Sequence, residues 1–350
     1  MNSISRSLIS TSRSAVLFVA ALAFGGASLA QPLTPPIVLR VSAVGLTIEG
    51  GVFTALEKGY FAAEGVRVEL KVGTGSGADT MTQLVSGDLD IGVVNMGSAY
   101  VNARSRNLPV VGIIPLYVIN AGDKTTGLVI RKDHIDSGRY KTPADLKGMK
   151  LAVQAVGNSS HFNILKAAEK AGVKQSDIEI INMPLPDTLV AMGNKALDGT
   201  FAVEPFITAA KARKIAELRV PENETSEGLP ALLLVASADA LTKKREGVVR
   251  FLAAVLKGQR DYYESVTKGT NQQAMYETLA KHGLIKDMAR LKEISLPLVS
   301  RNGTFDEKIV NELQTFLIKE KIISRPVDVD KLLDKSLLNA ALDRVGRVAE

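Results

Sequence analysis

The chain has 350 residues, 46% of them hydrophobic and 23% charged, which suits a globular protein of two domains. Its formal net charge of +6 comes from bases interspersed with acids, without the basic runs that would indicate a nucleic-acid partner. The absence of cysteine excludes disulfides, thiolate catalysis, cysteine metal ligands and a lipid-modified cysteine.

Residues 1–30 have the pattern of a secretory signal peptide. Arg6 and Arg13 lie in a Ser-rich stretch without acids, and Ala15–Gly26 is apolar but too short to cross a hydrocarbon core of ~30 Å. Small side chains before the site predict cleavage after Ala30. We therefore expect an exported, periplasmic protein. An uncleaved membrane anchor is the alternative.

Strands and helices alternate through the first third of the chain. The predicted strands are Val38–Val44, Val66–Val72, Leu89–Val94 and Pro109–Leu116. The predicted helices are Val52–Ala63, a helix from Asp79 to Gly87, and Ser98–Arg106. Alternating elements of this length favour a mainly parallel sheet covered by helices on both faces.

The same alternation then restarts and ends in a helical tail. The predicted strands are Leu128–Lys132, Lys150–Ala155, Ile178–Met183, Gly199–Val203 and Ala231–Ser237. The predicted helices are Thr142–Leu146, His161–Ala171, Asp187–Asn194, Lys244–Glu264, Gln272–His282, Ile285–Ser295 and Asp306–Lys319. Thr304 and Glu307 have the spacing of a capping box for the last of these helices.

Two stretches of the chain repeat each other without a gap. Asp187 follows Asp79 by 108 residues, and Asp198 follows Asp90 by the same interval, within similar flanking residues. An internal duplication of βαβ units predicts two similar lobes with a cleft between them. Because Asp90 and Asp198 both precede buried strands, we expect them to hydrogen-bond backbone as part of the shared scaffold.

Segments rich in turn-forming residues indicate where the chain crosses between the lobes. Gly122–Gly127 and Pro221–Gly228 are the predicted crossovers. Lobe 1 would then comprise residues 31–124 and 228–350, and lobe 2 residues 125–227. The predicted fold class is α/β, with each lobe a mainly parallel sheet flanked by helices and with two interlobe crossovers.

Loops of small and polar residues follow the predicted strands, where open α/β sheets bind ligands. The candidates are Gly45–Gly51, Gly73–Gly77, Asn95–Ser98, Gly157–His161 and Pro184–Asp187. The glycine-rich loop among them lacks both the Walker lysine and the spacing of a dinucleotide fingerprint, so no nucleotide cofactor is expected.

Two of these loops lead directly into helices. Gly97 and Ser98 open one helix, and Asn158–Ser160 opens another. Unpaired N–H groups at such helix starts could hold an anionic or carbonyl group in the cleft. The alternative is that Ser98 and Asn158 only cap their own helices.

The chain offers little for metal binding or catalysis. His134, His161 and His282 lack metal-ligand spacing, so no metal is expected; His161 lies in a candidate cleft loop, and the other two are expected at the surface. No nucleophile-elbow motif occurs. Glu49 and Glu204 could form an acid–base pair, although Glu204 precedes a proline and suits a helix start.

A series of motifs is similar to one known family. The segments are Leu56–Phe61, Leu84–Gly92, Thr142–Val153, Glu204–Phe206 and Val329–Asp334. In this order they resemble the nitrate/sulfonate/taurine-type periplasmic substrate-binding proteins of ABC importers, and the resemblance extends from about Ile37 to the C-terminus.

The resemblance implies a type II periplasmic-binding-protein fold and a role in solute capture rather than catalysis. The ligand would be a small organic molecule, sulfonate-, carboxylate- or heterocycle-like, delivered to a membrane permease and ATPase complex by a monomeric protein without a cofactor. The residues expected to bind it are Thr47, Glu49, Ser76, Asn95, Gly97, Ser98, Tyr117, Asn158, Ser159, His161, Asp187 and Glu204.

Three alternatives stay open at this point. The protein could be a ligand sensor that docks on a membrane receptor, or an enzyme on the same fold. The ligand class is also open, because Glu49 and Glu204 add negative charge and no Arg lies in the candidate loops. A neutral or partly cationic ligand, or a carboxylate held by helix N-termini, is then compatible with the sequence.

Overall fold

The computed structural model describes residues 34–73 and 77–349. The predicted signal peptide, its predicted cleavage site after Ala30 and the predicted site residue Ser76 lie outside the described residues. None of the helices in the described part of the chain has the length and apolar character needed to cross a bilayer.

Ten strands in the described residues form two five-stranded sheets. In chain order, β1 to β10 are Ile37–Ala43, Val66–Val72, Ile91–Asn95, Val110–Tyr117, Thr126–Arg131, Lys150–Val153, Glu179–Asn182, Gly199–Val203, Ala216–Pro221 and Leu232–Ser237. The first sheet has the order β2-β1-β3-β10-β4 and the second the order β7-β6-β8-β5-β9. We call the halves built on these sheets the first and second lobes.

Both sheets are mixed in the same way. In each one the fourth strand, β10 or β5, runs antiparallel to both of its neighbours, whereas the first three strands are mutually parallel. The predicted α/β architecture with mainly parallel sheets is therefore confirmed. The identical position of the reversed strand is what a duplicated unit predicts.

Helices cover the faces of both sheets. In chain order, α1 to α16 are Gly50–Glu57, Tyr60–Ala63, Gly77–Ser86, Ser98–Ser105, Lys132–Asp136, Ser159–Lys170, Leu185–Gly193, Phe206–Ala212, Asn223–Ser226, Ala238–Lys243, Arg245–Lys268, Gln272–His282, Met288–Glu293, Glu307–Lys319, Val329–Leu332 and Lys335–Val345. Short 3₁₀ helices lie at Thr47–Glu49, Pro143–Leu146 and Gln175–Asp177.

The core of the first lobe lies between its sheet and the long helix α11. Leu39, Val41, Ile91 and Leu234 from the sheet are fully buried, as is the apolar face of α11 around Leu252. The second lobe has smaller cores on the two faces of its own sheet. Each lobe therefore has its own hydrophobic core.

The two repeated aspartates occupy equivalent scaffold positions. Asp90 Oδ2 accepts the backbone N–H of Arg40 at 2.8 Å, and Asp198 Oδ2 accepts that of Lys150 at 2.9 Å. In return, the backbone N–H of Asp90 donates to the carbonyl oxygen of Arg40, and that of Asp198 donates to the carbonyl oxygen of Lys150, both at 2.9 Å. The prediction that these aspartates bond backbone is confirmed.

The side-chain partners of the two aspartates differ. Asp90, which is fully buried, contacts the Arg40 guanidinium at 3.1 Å and the Lys244 ammonium at 2.9 Å. Asp198 is paired with His134 at 2.6 Å. Burial would raise the pKa of both carboxyls, but the hydrogen bonds outweigh it and hold each pKa below its usual value.

Several predicted helices and strands need correction. The single helix expected at Val52–Ala63 is two helices, α1 and α2, because Gly59 between them adopts the left-handed conformation with φ 70°. The helix expected at Ile285–Ser295 is confined to Met288–Glu293, after the N-cap Asp287. Strand β9 was not predicted, although its apolar residues Ala216, Leu218 and Val220 alternate with the charged residues Glu217 and Arg219.

The predicted surface location is wrong for His134, which is buried against Asp198. His282 is half-buried, since its ring stacks on Phe53 at 5.3 Å and bonds Glu57 at 2.6 Å. Both rings are held by acidic groups that sequence spacing could not place nearby.

The predicted capping box at the start of α14 is also wrong. The N-cap is Asp306, whose carboxylate accepts the N–H of Lys308 at 2.8 Å, and Glu307 is already the first helical residue. The Thr304 backbone N–H instead donates to the Ser300 hydroxyl at 2.9 Å.

We expect Asp306→Ala to lower the free energy of unfolding by about 1 kcal/mol, because it removes the acceptor that caps α14. Glu307→Ala is the control, since Glu307 pairs with Lys335 at a solvent-exposed position and such pairs contribute little. Urea unfolding measures both. A larger loss from Glu307→Ala than from Asp306→Ala would contradict this assignment.

Candidate ligand-binding site

A cavity of about 450 Å³ lies between the two sheets, at the ends of strands from both lobes. It is lined by Val44, Leu46, Ile48, Glu49, Gly77, Ala78, Val93, Val94, Asn95, Gly97, Ser98, Ala99, Tyr117, Thr126, Gln154, Ala155, Asn158, Ser159, Ser160, Leu185, Phe201, Val203, Glu222, Ala231 and Leu232. This is the position at which open α/β sheets bind ligands. Its size suits a small organic molecule.

Helix starts surround the cavity. Ser98 begins α4 and Ser159 begins α6, while Gly77 and Leu185 begin α3 and α7. The N-terminal N–H groups of these helices carry partial positive charge towards the space between the sheets. These four helices come from both lobes, so the cavity has a polar surface on each side.

The lobes touch each other at one edge of the cavity. The Asn95 amide donates to the Ser159 hydroxyl at 3.0 Å, and the Ser98 N–H donates to the Gly157 carbonyl at 2.9 Å. A Cβ atom placed on Gly97 would lie 2.8 Å from the Cα of Asn158. Gly97 therefore permits a close approach of the two backbones that any side chain would obstruct.

Asn158 caps its own helix in addition to lining the cavity. Its side-chain oxygen accepts the His161 N–H at 3.1 Å and the Ser160 hydroxyl at 2.5 Å. Ser98 does not cap α4, because Gly97 occupies the N-cap position and the Ser98 hydroxyl faces the Val156 carbonyl at 3.4 Å. The capping alternative thus applies to Asn158 alone.

Glu49 forms an acidic part of the cavity wall. Its carboxylate accepts the N–H groups of Val44, Gly45 and Leu46 at 2.9, 2.6 and 2.8 Å, which closes the loop after β1 around it. Burial raises the pKa of Glu49 to about 7 against the opposing effect of these three donors. The carboxyl is oriented by backbone rather than by a basic side chain.

Tyr117 and Glu222 belong to a polar cluster beside the crossovers. The Tyr117 hydroxyl donates to Asp123 at 2.7 Å and lies 3.3 Å from the Thr126 hydroxyl. Thr126 also hydrogen-bonds the Glu222 side chain, while Oε1 of Glu222 has no partner. Burial, with a smaller contribution from the nearby Asp123, raises the pKa of Glu222 to about 8 against the opposing effect of the Thr126 hydroxyl.

The structure brings together seven of the residues expected to bind the ligand. Those lining the cavity are Glu49, Asn95, Gly97, Ser98, Tyr117, Asn158 and Ser159. Thr47, His161, Asp187 and Glu204 do not line it. The acid–base pair considered for Glu49 and Glu204 is therefore not assembled in this cavity.

The four residues outside the cavity have other surroundings. Thr47 is buried in the 3₁₀ helix Thr47–Glu49, and Asp187 is exposed in the first turn of α7. His161 Nδ1 accepts the Gly157 N–H at 3.1 Å, and burial lowers its pKa. Glu204 accepts the Thr208 hydroxyl at 2.8 Å in the first turn of α8, and burial raises its pKa.

Sequence reasoning missed several polar residues of the cavity. Glu222 follows the unpredicted strand β9. Thr126 begins β5 and Gln154 follows β6, and the predicted ends of both strands were only approximate. Glu222 lies within the predicted crossover Pro221–Gly228, so its position at a lobe junction was the available signal. Among the described residues, no three His, Asp or Glu side chains converge in a way that could hold a metal ion.

Comparison with known proteins assigns the chain to a family. Residues 49–265 match the family described as NMT1/THI5-like, and the chain belongs to that family. It is 29% identical over 190 residues to the taurine-binding periplasmic protein of Escherichia coli (strain K12), an alignment that covers 53% of this chain and 55% of that protein. The chain spans about half the length of the curated relatives it matches.

Solved structures with the same fold include binding proteins and an enzyme. The periplasmic nitrate-binding protein NrtA from Synechocystis PCC 6803 superposes with a TM-score of 0.73 and 15% identity over 89% of both chains. The desulfurization enzyme DSZB superposes with a TM-score of 0.61 and 14% identity, over 88% of this chain and 99% of that one. These likenesses confirm the two-lobe periplasmic-binding-protein fold; at such identities they concern the fold alone.

Proposed function

We propose that the protein is a periplasmic solute-binding protein that captures a small organic molecule between its lobes and delivers it to an ABC importer. The observation that carries this proposal is the cavity of about 450 Å³, which both lobes line at their strand ends. A ligand held by both lobes stabilises the arrangement in which they touch, so capture and closure are coupled.

The accompanying parts of the proposal follow from the sequence and from the relatives. Export with cleavage after Ala30 would place the protein in the periplasm, the compartment given in the name of the taurine-binding relative from Escherichia coli. The partner would be a permease and ATPase complex, and the protein would act as a monomer. The lobes would be bounded at residues 31–124 with 228–350, and 125–227.

An enzyme is the second candidate, since DSZB has the same fold. The arrangement of the cavity serines supports binding instead of acyl-transfer catalysis. The hydroxyl of Ser98 faces a backbone carbonyl, that of Ser159 accepts from Asn95, and that of Ser160 donates to Asn158. None of these bonds joins a serine to a general base, which nucleophilic catalysis would need.

A thermal-shift screen followed by calorimetry tests the proposal. The panel consists of sulfonates, carboxylates, nitrate, pyrimidines, aromatic acids and organic amines. We expect at least one compound to bind with a stoichiometry of one and to stabilise the protein by about 2.7 kcal/mol at a hundredfold excess over its Kd. Absence of binding by every compound, or turnover of a bound compound, would overturn the assignment.

A further inference from the structure

The charged side chains that line the cavity are all acidic. Glu49 and Glu222 are carboxyls, and no Lys, Arg or His occurs among the described residues of the wall. A sulfonate, nitrate or carboxylate is usually held by a cationic side chain that forms charge-assisted hydrogen bonds. This cavity offers an anion only uncharged donors, namely backbone and amide N–H groups and hydroxyls, close to two carboxyl groups that carry negative charge when ionised.

Glu222 is the acid whose bonding is incomplete. Its residue is 1% exposed, and Oε1 is buried without a hydrogen-bond partner. The Thr126 hydroxyl is the side-chain partner of this carboxyl. A buried acceptor without a donor lowers stability, so a ligand that supplies an N–H group at this end of the cavity would be favoured.

Glu49 can serve as a second acceptor. Its Oε2 accepts two short bonds, from the N–H groups of Gly45 and Leu46, whereas the nearest donor to Oε1 is the Val44 N–H at 2.9 Å. A carboxylate oxygen has two lone pairs, so Oε1 can accept a further bond. The loop N–H groups fix the carboxyl in place, which leaves it preorganised for a ligand.

A large part of the wall is apolar. Val44, Ile48, Val93, Phe201 and Leu232 contribute aliphatic or aromatic surface. The hydroxyl of Tyr117 already donates its proton to Asp123, so it offers no further donor to a ligand. The wall therefore suits a compact molecule with an apolar body and a polar end rich in hydrogen-bond donors.

We propose that the cavity selects a compact organic cation, an amidinium or ammonium with an apolar body, whose N–H groups bind Glu222 Oε1 and Glu49. This inference rests on the proposed function and specifies its ligand class. The proposed ligand class differs from the ligands in the names of two similar proteins, which are taurine (an amino sulfonate) and nitrate.

The inference implies that binding depends on pH. Burial raises the pKa of Glu49 to about 7 and that of Glu222 to about 8, and the titratable groups that face Glu222 are Asp123 and Tyr117. A bound cation favours the carboxylate form of both acids, so binding releases protons and affinity rises as the pH increases through about 7 to 8. An anion would show the opposite dependence.

Benzamidine and benzoate provide a matched pair of probes, because they share a ring and carry opposite charges. Calorimetry on the wild-type protein at pH 6 and 8.5 should show benzamidine binding, at least fivefold tighter at the higher pH, with proton release that changes the heat between buffers. Benzoate and benzenesulfonate should bind at least tenfold more weakly than benzamidine at pH 8.5.

Glu222→Gln tests the residue directly, with Glu227→Gln as the control. Glu227 is exposed in the same crossover, so its change alters net charge equally without reaching the cavity. We expect Glu222→Gln to weaken benzamidine binding at least tenfold and Glu227→Gln to change it less than twofold. Circular dichroism shows whether both variants fold. If Glu222→Gln does not fold, the pH series on the wild-type protein decides the question.

The outcomes distinguish this inference from the proposed function. Tighter binding of benzoate or benzenesulfonate than of benzamidine, or an affinity for benzamidine that is unchanged in Glu222→Gln, would overturn the cation assignment and leave solute binding intact. Failure of these probes and of every compound in the wider screen would overturn both.

Discussion

Asp90→Ala should lower the free energy of unfolding by about 3 kcal/mol. Asp90 is fully buried and bonds the Arg40 backbone, the Arg40 guanidinium and the Lys244 ammonium. Alanine removes the acceptor of all three, which leaves a buried N–H and two half-buried cations without their partner. Urea unfolding followed by circular dichroism measures the loss.

Asp88→Ala is the control for this prediction, since Asp88 is exposed two residues earlier in the same turn. The pH dependence gives a second test. The pKa of Asp90 is lowered in the folded state, so its contribution is complete above the unfolded pKa of about 4 and is lost as the pH falls further. Wild-type stability should therefore drop more steeply below pH 4 than that of Asp90→Ala. Equal losses for Asp88→Ala and Asp90→Ala would contradict the assigned role.

Gly97→Val should weaken ligand binding at least tenfold, about 1.4 kcal/mol or more, without unfolding the protein. Gly97 has extended backbone with φ −160°, which valine adopts without backbone strain; within the first lobe its Cβ would lie 3.0 Å from the side-chain oxygen of Asn95. Its Cβ would nevertheless lie 2.8 Å from Asn158 Cα and 3.0 Å from the Gly157 carbonyl oxygen, both in the second lobe. The side chain therefore obstructs the arrangement in which the lobes touch.

Calorimetry with the compound that stabilises the wild-type protein most in the screen measures this effect. Gly193→Val is the matched control, because the nearest atom to a Cβ there is 3.9 Å away and the site lies at the exposed end of α7. Small-angle scattering should also show that ligand compacts the wild type and leaves Gly97→Val expanded. Normal affinity in Gly97→Val would show that contact between these backbones is not required for binding.

Much of the fold could be predicted from the sequence, because strand alternation and helix periodicity are local signals. The role of Asp90 and Asp198 was also predictable, since a duplicated position implies a duplicated bond. The burial of His134 was not predictable, because it depends on Asp198, 64 residues away in sequence. The N-cap of α14 was predicted at Thr304 and lies at Asp306, because Thr304 and Asp306 both have side chains that can cap a helix starting there.

The candidate site was predictable only where a loop directly follows a strand. Asn95 and Asn158 satisfy that rule, and both line the cavity. Glu222 also follows a strand directly, but this strand, β9, was not among the predicted ones. That Asn95 bonds Ser159 could not be inferred either, since the bond joins separate lobes and depends on how they are arranged.

The reversed strands β5 and β10 have a mechanical consequence. Each receives the chain directly from an outer strand of the opposite sheet: β4 leads through the first crossover into β5, and β9 through the second into β10. Both crossovers are thus anchored in strand pairing at each end, and we expect any rotation of the lobes to occur about an axis through them. Groups on a hinge axis move least during rigid-body rotation. Glu222 immediately follows β9 and Asp123 lies in the other crossover, so we expect the acidic end of the cavity to keep its geometry in both open and closed arrangements of the lobes.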